Sequence, residues 1–179
     1  NDFKQDEEEA KYWYRKAFEN SIMNAEKGDI RSQFILGRCY ENNNQYEKAF
    51  EWYSKAAEQG LAAAQCNLGY LYEKGLGVRQ DYRKAFEWYS KAAEQGLAAA
   101  QRNLGHLYLF GLGVSQDYRK AYEWYSKAAA QGDSTAQNYL GYLYQNGLGV
   151  RQDLKKAKYW YSKAAKQGNE YAKEALKNL

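Results

Sequence analysis

The amino-acid sequence predicts an all-α solenoid built from helix-turn-helix repeats. Tryptophan recurs every 36 residues along much of the chain, at Trp52, Trp88, Trp124 and Trp160. Self-similarity at a period of about 20 to 50 residues is typical of arrays in which each unit stacks on the next. Proline is absent and aromatic residues make up 17% of the chain, a composition that favours packed helices over disorder or strands.

Three nearly identical units carry the repeat, and they cover residues 61–96, 97–132 and 133–168. In the first unit, apolar residues recur at helical spacing over 64–72 and again over 82–93. We call the first predicted helix of a unit helix A and the second helix B. Because one such hairpin cannot bury both of its faces alone, the units are expected to stack in a row.

Glycine and aspartate mark the ends of the predicted helices. Gly75 and Gly77 separate helix A from helix B in the first unit, and Asp81 has the residue type expected of an N-cap. Gly96 follows helix B, where a residue with left-handed backbone geometry commonly ends a helix. The boundaries are expected to repeat every 36 residues with the tryptophans.

The preceding unit, 29–60, has a shorter connection between its two helices. Tyr40 precedes Ala49 by 9 residues, whereas Tyr72 precedes Ala85 by 13 residues. The glycine-containing loop of the later units is missing from this one. We therefore expect a tighter turn at this point.

The two ends of the array are predicted to be incomplete repeats. Residues 1–28 contain an apolar pattern like that of helix B, with no helix A before it, and 169–179 supply a final helix A that acts as a polar cap. Tyr12, Trp13 and Phe18 would form an apolar surface at the first end. Since terminal repeats need a polar outer face to stay soluble, this surface predicts end-to-end self-association or a place within a longer array.

The repeated motif resembles the Sel1-like repeat. Its three parts read A-x-x-x-L-G-x-x-Y, G-x-G-V-x-x-D and A-x-x-W-x-x-x-A-A, and in the first full unit they begin at Ala64, Gly75 and Ala85. The resemblance implies a right-handed α-α superhelix related to tetratricopeptide arrays, and a role as an adaptor or scaffold in protein complexes. The shorter unit, 29–60, is more similar to a tetratricopeptide repeat in its spacing.

Residue types needed for catalysis or for a cofactor are scarce. The chain has one histidine, His106, and two cysteines, Cys39 and Cys66, which are too few for a zinc site of the usual kind. The sequence therefore predicts neither an enzyme nor a cofactor, and no small-molecule substrate. No run of about 20 apolar residues is present, so we expect no membrane insertion.

The resemblance implies that helix A lines the concave wall of the array. The residue before the leucine of each Leu-Gly pair is Ile35, Asn67, Asn103 and Tyr139 in successive units, so two neighbouring units present asparagine. An amide can both donate and accept a hydrogen bond, which suits a peptide backbone. The expected partner-binding residues are Phe34, Asn67, Tyr70, Arg102, Asn103, His106, Phe110, Asn138 and Tyr142.

Other roles stay open for these residues and for the chain. Asn67 and Asn103 could instead bond a neighbouring helix, and the aromatic residues could serve packing. The leading hypothesis is a scaffold that binds a protein or peptide on the helix A surface. The alternatives are an architectural spacer and, less favoured, a nucleic-acid-binding protein, since 61–179 holds 17 of the 26 Lys and Arg residues.

Overall fold

The computed structural model describes residue 16 and residues 18–179, and the regular secondary structure there is α-helical, as predicted. The predicted apolar residues Tyr12 and Trp13 lie outside the described residues. Helix α1 covers 18–26, and the helix A elements are α2 (Ile30–Asn42), α4 (Ala62–Lys74), α6 (Ala98–Phe110), α8 (Ser134–Asn146) and α10 (Glu170–Lys177). The helix B elements that follow them are α3 (Tyr46–Glu58), α5 (Tyr82–Glu94), α7 (Tyr118–Ala130) and α9 (Leu154–Lys166).

From α2 to α10, each helix packs against its neighbours in the chain, so the hairpins stack into a solenoid. The connection between α2 and α3 covers residues 43–45, whereas that between α4 and α5 covers 75–81. The predicted tighter turn is therefore confirmed. Asp81 caps α5, since its carboxylate accepts hydrogen bonds of 3.0 Å from the backbone N–H groups of Arg83 and Lys84.

The glycine-containing loop of each full unit rests on the preceding hairpin. Gly77 has a left-handed backbone with φ of 65°, and a Cβ atom at this position would collide with the backbone of Tyr46 at the start of α3. Leu76 and Val78 on either side of this glycine pack half-buried against the core. The loop is therefore both a turn within one repeat and a contact with the previous one.

The core of the array is built around a tyrosine on each helix B. These side chains are almost completely buried, at Tyr53, Tyr89, Tyr125 and Tyr161. The Tyr89 ring lies against Gly69 of the Leu-Gly pair, where a Cβ atom would approach the ring to 2.8 Å. The pair thus needs glycine because the buried tyrosine occupies the space of a side chain.

The repeated tryptophans occupy equivalent places, as predicted, but they are only half-buried. A lysine ammonium group lies over each ring, at 4.1 Å for Lys91 over Trp88 and 5.3 Å for Lys163 over Trp160. The deeper position belongs to the neighbouring tyrosine. Sequence spacing alone does not separate these two adjacent aromatic residues.

A row of glutamines joins neighbouring repeats. The buried Gln101 side chain donates a 3.2 Å hydrogen bond to the Ala93 carbonyl at the end of α5. It also accepts a 2.8 Å bond from Gln131, which in turn donates 2.9 Å to the Gly96 carbonyl. The same pairing recurs at Gln33 with Gln59, Gln65 with Gln95, and Gln137 with Gln167.

Candidate protein-interaction surface

The hydroxyl groups of the buried tyrosines reach helix A, where they have acceptors in several repeats. Tyr53 donates to Glu41 at 2.5 Å and Tyr89 donates to Glu73 at 2.8 Å. Burial above all, together with the nearby carboxylate, raises the pKa of both tyrosines well above its ordinary value of 10.0. The tyrosines are therefore neutral donors over the physiological range.

Asn67 and Asn103 take part in the same network. The Asn67 amide lies near the Tyr53 hydroxyl and the Asn103 amide near that of Tyr89, and each lowers the pKa of its tyrosine slightly against the larger effect of burial. Asn103 also accepts a bond of 3.2 Å from Nε of Arg102. These contacts favour the alternative that the asparagines bond a neighbouring helix, although both side chains stay partly exposed.

The third buried tyrosine, Tyr125, has a different environment. Leu109, itself buried, stands where Glu73 stands one repeat earlier, and Tyr139 stands where Asn103 does. The Tyr139 ring stacks on that of Tyr125, with centroids 4.8 Å apart and planes 12° apart. Among the described residues, the Tyr125 hydroxyl is a buried side-chain group without a hydrogen-bond partner.

Exposed apolar side chains run across successive A helices. They are Ile35 on α2, Tyr70 on α4, Phe110 on α6, Tyr142 on α8 and Tyr171 on α10, with exposed fractions between 40% and 82%. Isolated exposed apolar residues are common on proteins, but a contiguous set often marks an interaction surface. Phe110, Tyr142 and Tyr171 form such a set, since they line one cavity together.

Two cavities lie along this surface and share Tyr139 as a wall. The polar cavity, of about 250 Å³, is lined by Tyr70, Glu73, Lys74, Arg102, Asn103, His106, Thr135 and Tyr139. The aromatic cavity, of about 380 Å³, is lined by Phe110, Asn138, Tyr139, Tyr142, Tyr161, Tyr171 and Ala175. We call the two cavities together the helix A groove.

Charged groups of the polar cavity are paired. Lys74 contacts Glu73 at 2.6 Å, and Arg102 contacts Asp133 at 3.1 Å. The side chains of Glu73 and Asp133 are only 12% and 13% exposed, whereas those of Lys74 and Arg102 are 49% and 33% exposed. The two cations of this cavity therefore face solvent, and the two carboxylates lie behind them.

His106 connects the two cavities through its neighbours. Its ring lies 4.6 Å from that of Phe110 and 6.1 Å from that of Tyr139, measured between centroids. Burial lowers the pKa of His106 below its ordinary 6.5, against an opposing effect of Glu73. The imidazole is therefore neutral at physiological pH and acts as an aromatic wall.

Seven of the nine expected binding residues line the helix A groove. Phe34 and Asn67 are not among the residues that line the two cavities. Phe34 is half-buried with its ring centroid 5.8 Å from that of Tyr53, and Asn67 lies near the Tyr53 hydroxyl. The groove is also lined by residues that were not expected from the sequence, namely Glu73, Lys74, Thr135, Tyr139, Tyr161, Tyr171 and Ala175.

The described residues contain neither a candidate metal site nor a candidate membrane span. No group of three or more His, Cys, Asp and Glu side chains in that part of the chain could hold a metal ion. The helices described there include none with the length and apolarity required to cross a membrane. Cys39 and Cys66 are free thiols, the first partly exposed and the second buried.

A sequence profile of the Sel1 repeat matches residues 2–21, 30–61, 62–97, 98–133 and 134–169. The chain belongs to the Sel1 repeat family. The matched segments include 30–61, the unit with the short turn. Sel1 repeat proteins are generally protein–protein interaction scaffolds, and the family is a non-enzymatic one.

Solved Sel1 repeat structures resemble this chain closely. A protective antigen of uropathogenic Escherichia coli with an SLR fold is 42% identical over 85% of this chain and 33% of its own, with a TM-score of 0.81. A Sel1 repeat protein from Oxalobacter formigenes is 38% identical over 89% of this chain and 65% of its own, with a TM-score of 0.82. Cysteine-rich protein B of Helicobacter pylori is 32% identical over 74% of this chain and 95% of its own, with a TM-score of 0.58.

This chain corresponds to about one third of the length of the first of these Sel1 repeat proteins and to just under two thirds of the second. A comparison with curated protein sequences finds no match.

Proposed function

We propose that this chain is an interaction scaffold that binds an extended segment of a partner protein in the helix A groove. The observation that carries the proposal is the row of exposed apolar side chains on successive A helices, with two cavities beside it. Aromatic residues supply much of the binding energy at protein interfaces, because they bury a large area with few rotatable bonds.

The spacing of the groove suits an extended peptide. Helices that pack together lie about 8–10 Å apart, and an extended chain covers about 3.3–3.6 Å per residue. A segment of about three residues therefore reaches from one A helix to the next. Asn103 and Asn138, which line the polar and the aromatic cavity respectively, offer amide groups to the backbone of such a segment.

The test is selection of a displayed random-peptide library on the wild-type chain, followed by binding measurements on two double variants. Phe110→Ala with Tyr142→Ala removes two exposed aromatic residues of the groove. Leu154→Ala with Tyr159→Ala is the matched control, because these side chains are each 52% exposed on α9. We expect the groove variant to weaken binding of the selected peptides by at least about tenfold.

Circular dichroism must show equal helix content in both variants for the comparison to count. The control variant should bind the selected peptides as the wild type does. Equal binding by the two variants, or a larger loss in the control, would contradict the proposal and place the binding surface away from the groove.

A further inference from the structure

The aromatic cavity is walled by rings and is lined by no charged side chain. Five of its seven lining residues are aromatic, namely Phe110, Tyr139, Tyr142, Tyr161 and Tyr171, and the others are Asn138 and Ala175. An aromatic ring has a negative face that attracts a cation, in addition to its apolar area. Such a wall therefore suits a cationic group carried on an aliphatic stem.

Elsewhere the chain places its own lysines over its rings. The ammonium group of Lys127 lies 4.1 Å from the centroid of the Trp124 ring, and that of Lys84 lies 5.2 Å from the Tyr72 ring. In the described part of the chain, no lysine or arginine lies over any of the five rings of the aromatic cavity. Ring faces in this cavity are thus left for a cation of another molecule.

Differences between the repeats account for the uncovered ring of Tyr142. Tyr70 is the equivalent residue two repeats earlier, and Lys74 lies 5.9 Å from the centroid of its ring. Asn146 stands in the place of that lysine beside Tyr142, and its amide donates 2.9 Å to the Tyr142 carbonyl. Phe110 stands in the same place in the repeat between them and lines the cavity. The aromatic cavity therefore has uncharged residues where the earlier repeat has a lysine.

The nearest exposed charge on α10 also favours a cation. Glu174 is a neighbour of Tyr171 and Ala175 on the surface of this helix, and its side chain is 65% exposed. It pairs with Lys177 at 2.8 Å, but that side chain is 71% exposed, so solvent weakens the pair. A carboxylate at the edge of the cavity attracts a positively charged group.

We propose that the aromatic cavity binds a cationic group of the partner segment, which is a lysine or arginine side chain or an N-terminal amine. The rings attract the cation and bury its aliphatic stem, and the half-buried Asn138 amide oxygen accepts one of its N–H hydrogen bonds. This inference rests on the proposed function and specifies the chemistry of the ligand.

The peptides selected from the displayed library on the wild-type chain are the probes. We expect them to share a lysine or arginine at one position or to need a free N-terminus. Synthetic copies remove each charge in turn, with norleucine for lysine, citrulline for arginine, or an acetylated N-terminus. Removal of the bound cation should weaken binding by about tenfold, and removal of the other charges should not.

General electrostatic attraction does not account for such a preference, because the chain itself has a formal net charge of +4. Selected peptides without a shared cation, or neutral copies that bind as well as the originals, would overturn the proposal. The second result would show that the cavity takes an apolar side chain instead.

A pair of variants tests whether the cavity is the site. Tyr142→Leu with Tyr171→Leu keeps an apolar wall and removes two ring faces, so it should bind a cationic peptide and its neutral copy equally. Tyr159→Leu is the matched control, because this ring is 52% exposed on α9 and outside the cavity, and it should keep the wild-type preference. Circular dichroism checks the helix content of both. A full preference for the cation in the double variant would overturn the proposal.

The outcomes separate this inference from the proposed function. Peptide binding that depends on Phe110 and Tyr142 but not on a cation overturns the inference alone. Peptide binding that is indifferent to Phe110 and Tyr142, or a selection that yields no peptide, overturns the proposed function and the inference with it.

Discussion

The Tyr89 hydroxyl donates a hydrogen bond of 2.8 Å to Oε2 of Glu73 across the hairpin formed by α4 and α5. Tyr125 occupies the equivalent position one repeat later and has Leu109 in place of the glutamate. The two tyrosines therefore share a backbone position, a depth of burial and a packing contact with glycine, but differ in the partner of one atom.

This difference predicts that the same substitution has different effects on stability at the two sites. Tyr89→Phe should lower the free energy of unfolding by about 1.5 kcal/mol, because it removes a bond to a charged acceptor. Tyr125→Phe should leave the free energy of unfolding unchanged or raise it slightly, since the lost hydroxyl had no partner. Urea unfolding followed by circular dichroism measures both, and an equal loss in the two variants would contradict the hydrogen-bond assignment.

The glycine loop predicts a second pair of variants. Gly75 and Gly77 both have left-handed backbones, with φ of 69° and 65°. Alanine at Gly75 should cost about 1 kcal/mol, because the left-handed backbone is strained for a residue with a side chain. Its Cβ atom would lie 3.2 Å from Gln80, which is tight but not a collision. Alanine at Gly77 should cost about 3 kcal/mol or more, since its Cβ atom would collide with the Tyr46 backbone. Gly77→Ala should therefore have a lower midpoint of thermal unfolding than Gly75→Ala. This difference measures the contact between the glycine loop and the preceding repeat.

The two cysteines should differ in reactivity. Burial raises the pKa of the Cys66 thiol to about 11, so only about 0.1% of it is thiolate at pH 8. We expect iodoacetamide to modify the partly exposed Cys39 first and Cys66 only when the chain is unfolded in guanidinium. Peptide mass spectrometry after timed quenching measures both rates. Equal modification in the folded state would show that the α4 packing around Cys66 opens readily.

His106 predicts a dependence of stability on pH. Because burial lowers its pKa, the folded chain binds fewer protons at this site than the unfolded chain does below about pH 6.5. The contribution of His106 to stability is thus complete above pH 6.5 and is lost as the pH falls through that value. His106→Gln should show a smaller drop in melting temperature between pH 7.5 and 5.5 than the wild type. The same drop in both would mean that His106 is freely solvated.

The local features of the fold could be predicted from the sequence because short spacings encode them. Gly75 and Asp81 ended and began helices where expected, and the tryptophans occupied equivalent places. The choice between Trp88 and Tyr89 for the core could not be predicted, since adjacent residues on a helix both fall near the apolar stripe. Only the glycine on the facing helix decides it.

The groove was harder to predict because its contacts join residues from different repeats. The His106 ring contacts that of Tyr139 in the next repeat, and Tyr139 also stacks on Tyr125 of the repeat before it. A signal was nevertheless present in the aligned repeats. Leu109 replaces the glutamate beside Tyr125, and Tyr139 replaces the asparagine that faces the equivalent tyrosine of the preceding repeat. Both changes alter the environment of the Tyr125 hydroxyl.

The glutamine row bears on how the array comes apart. Gln101 holds a carbonyl of one neighbouring repeat and the amide of Gln131 from the next helix B at the same time. Separating one hairpin from the middle of the stack therefore leaves buried amides without partners on both sides, whereas peeling a terminal hairpin breaks one set. Unfolding should then be cooperative in the interior and begin by fraying at the ends, and amide hydrogen exchange should be slowest in α5 and α6.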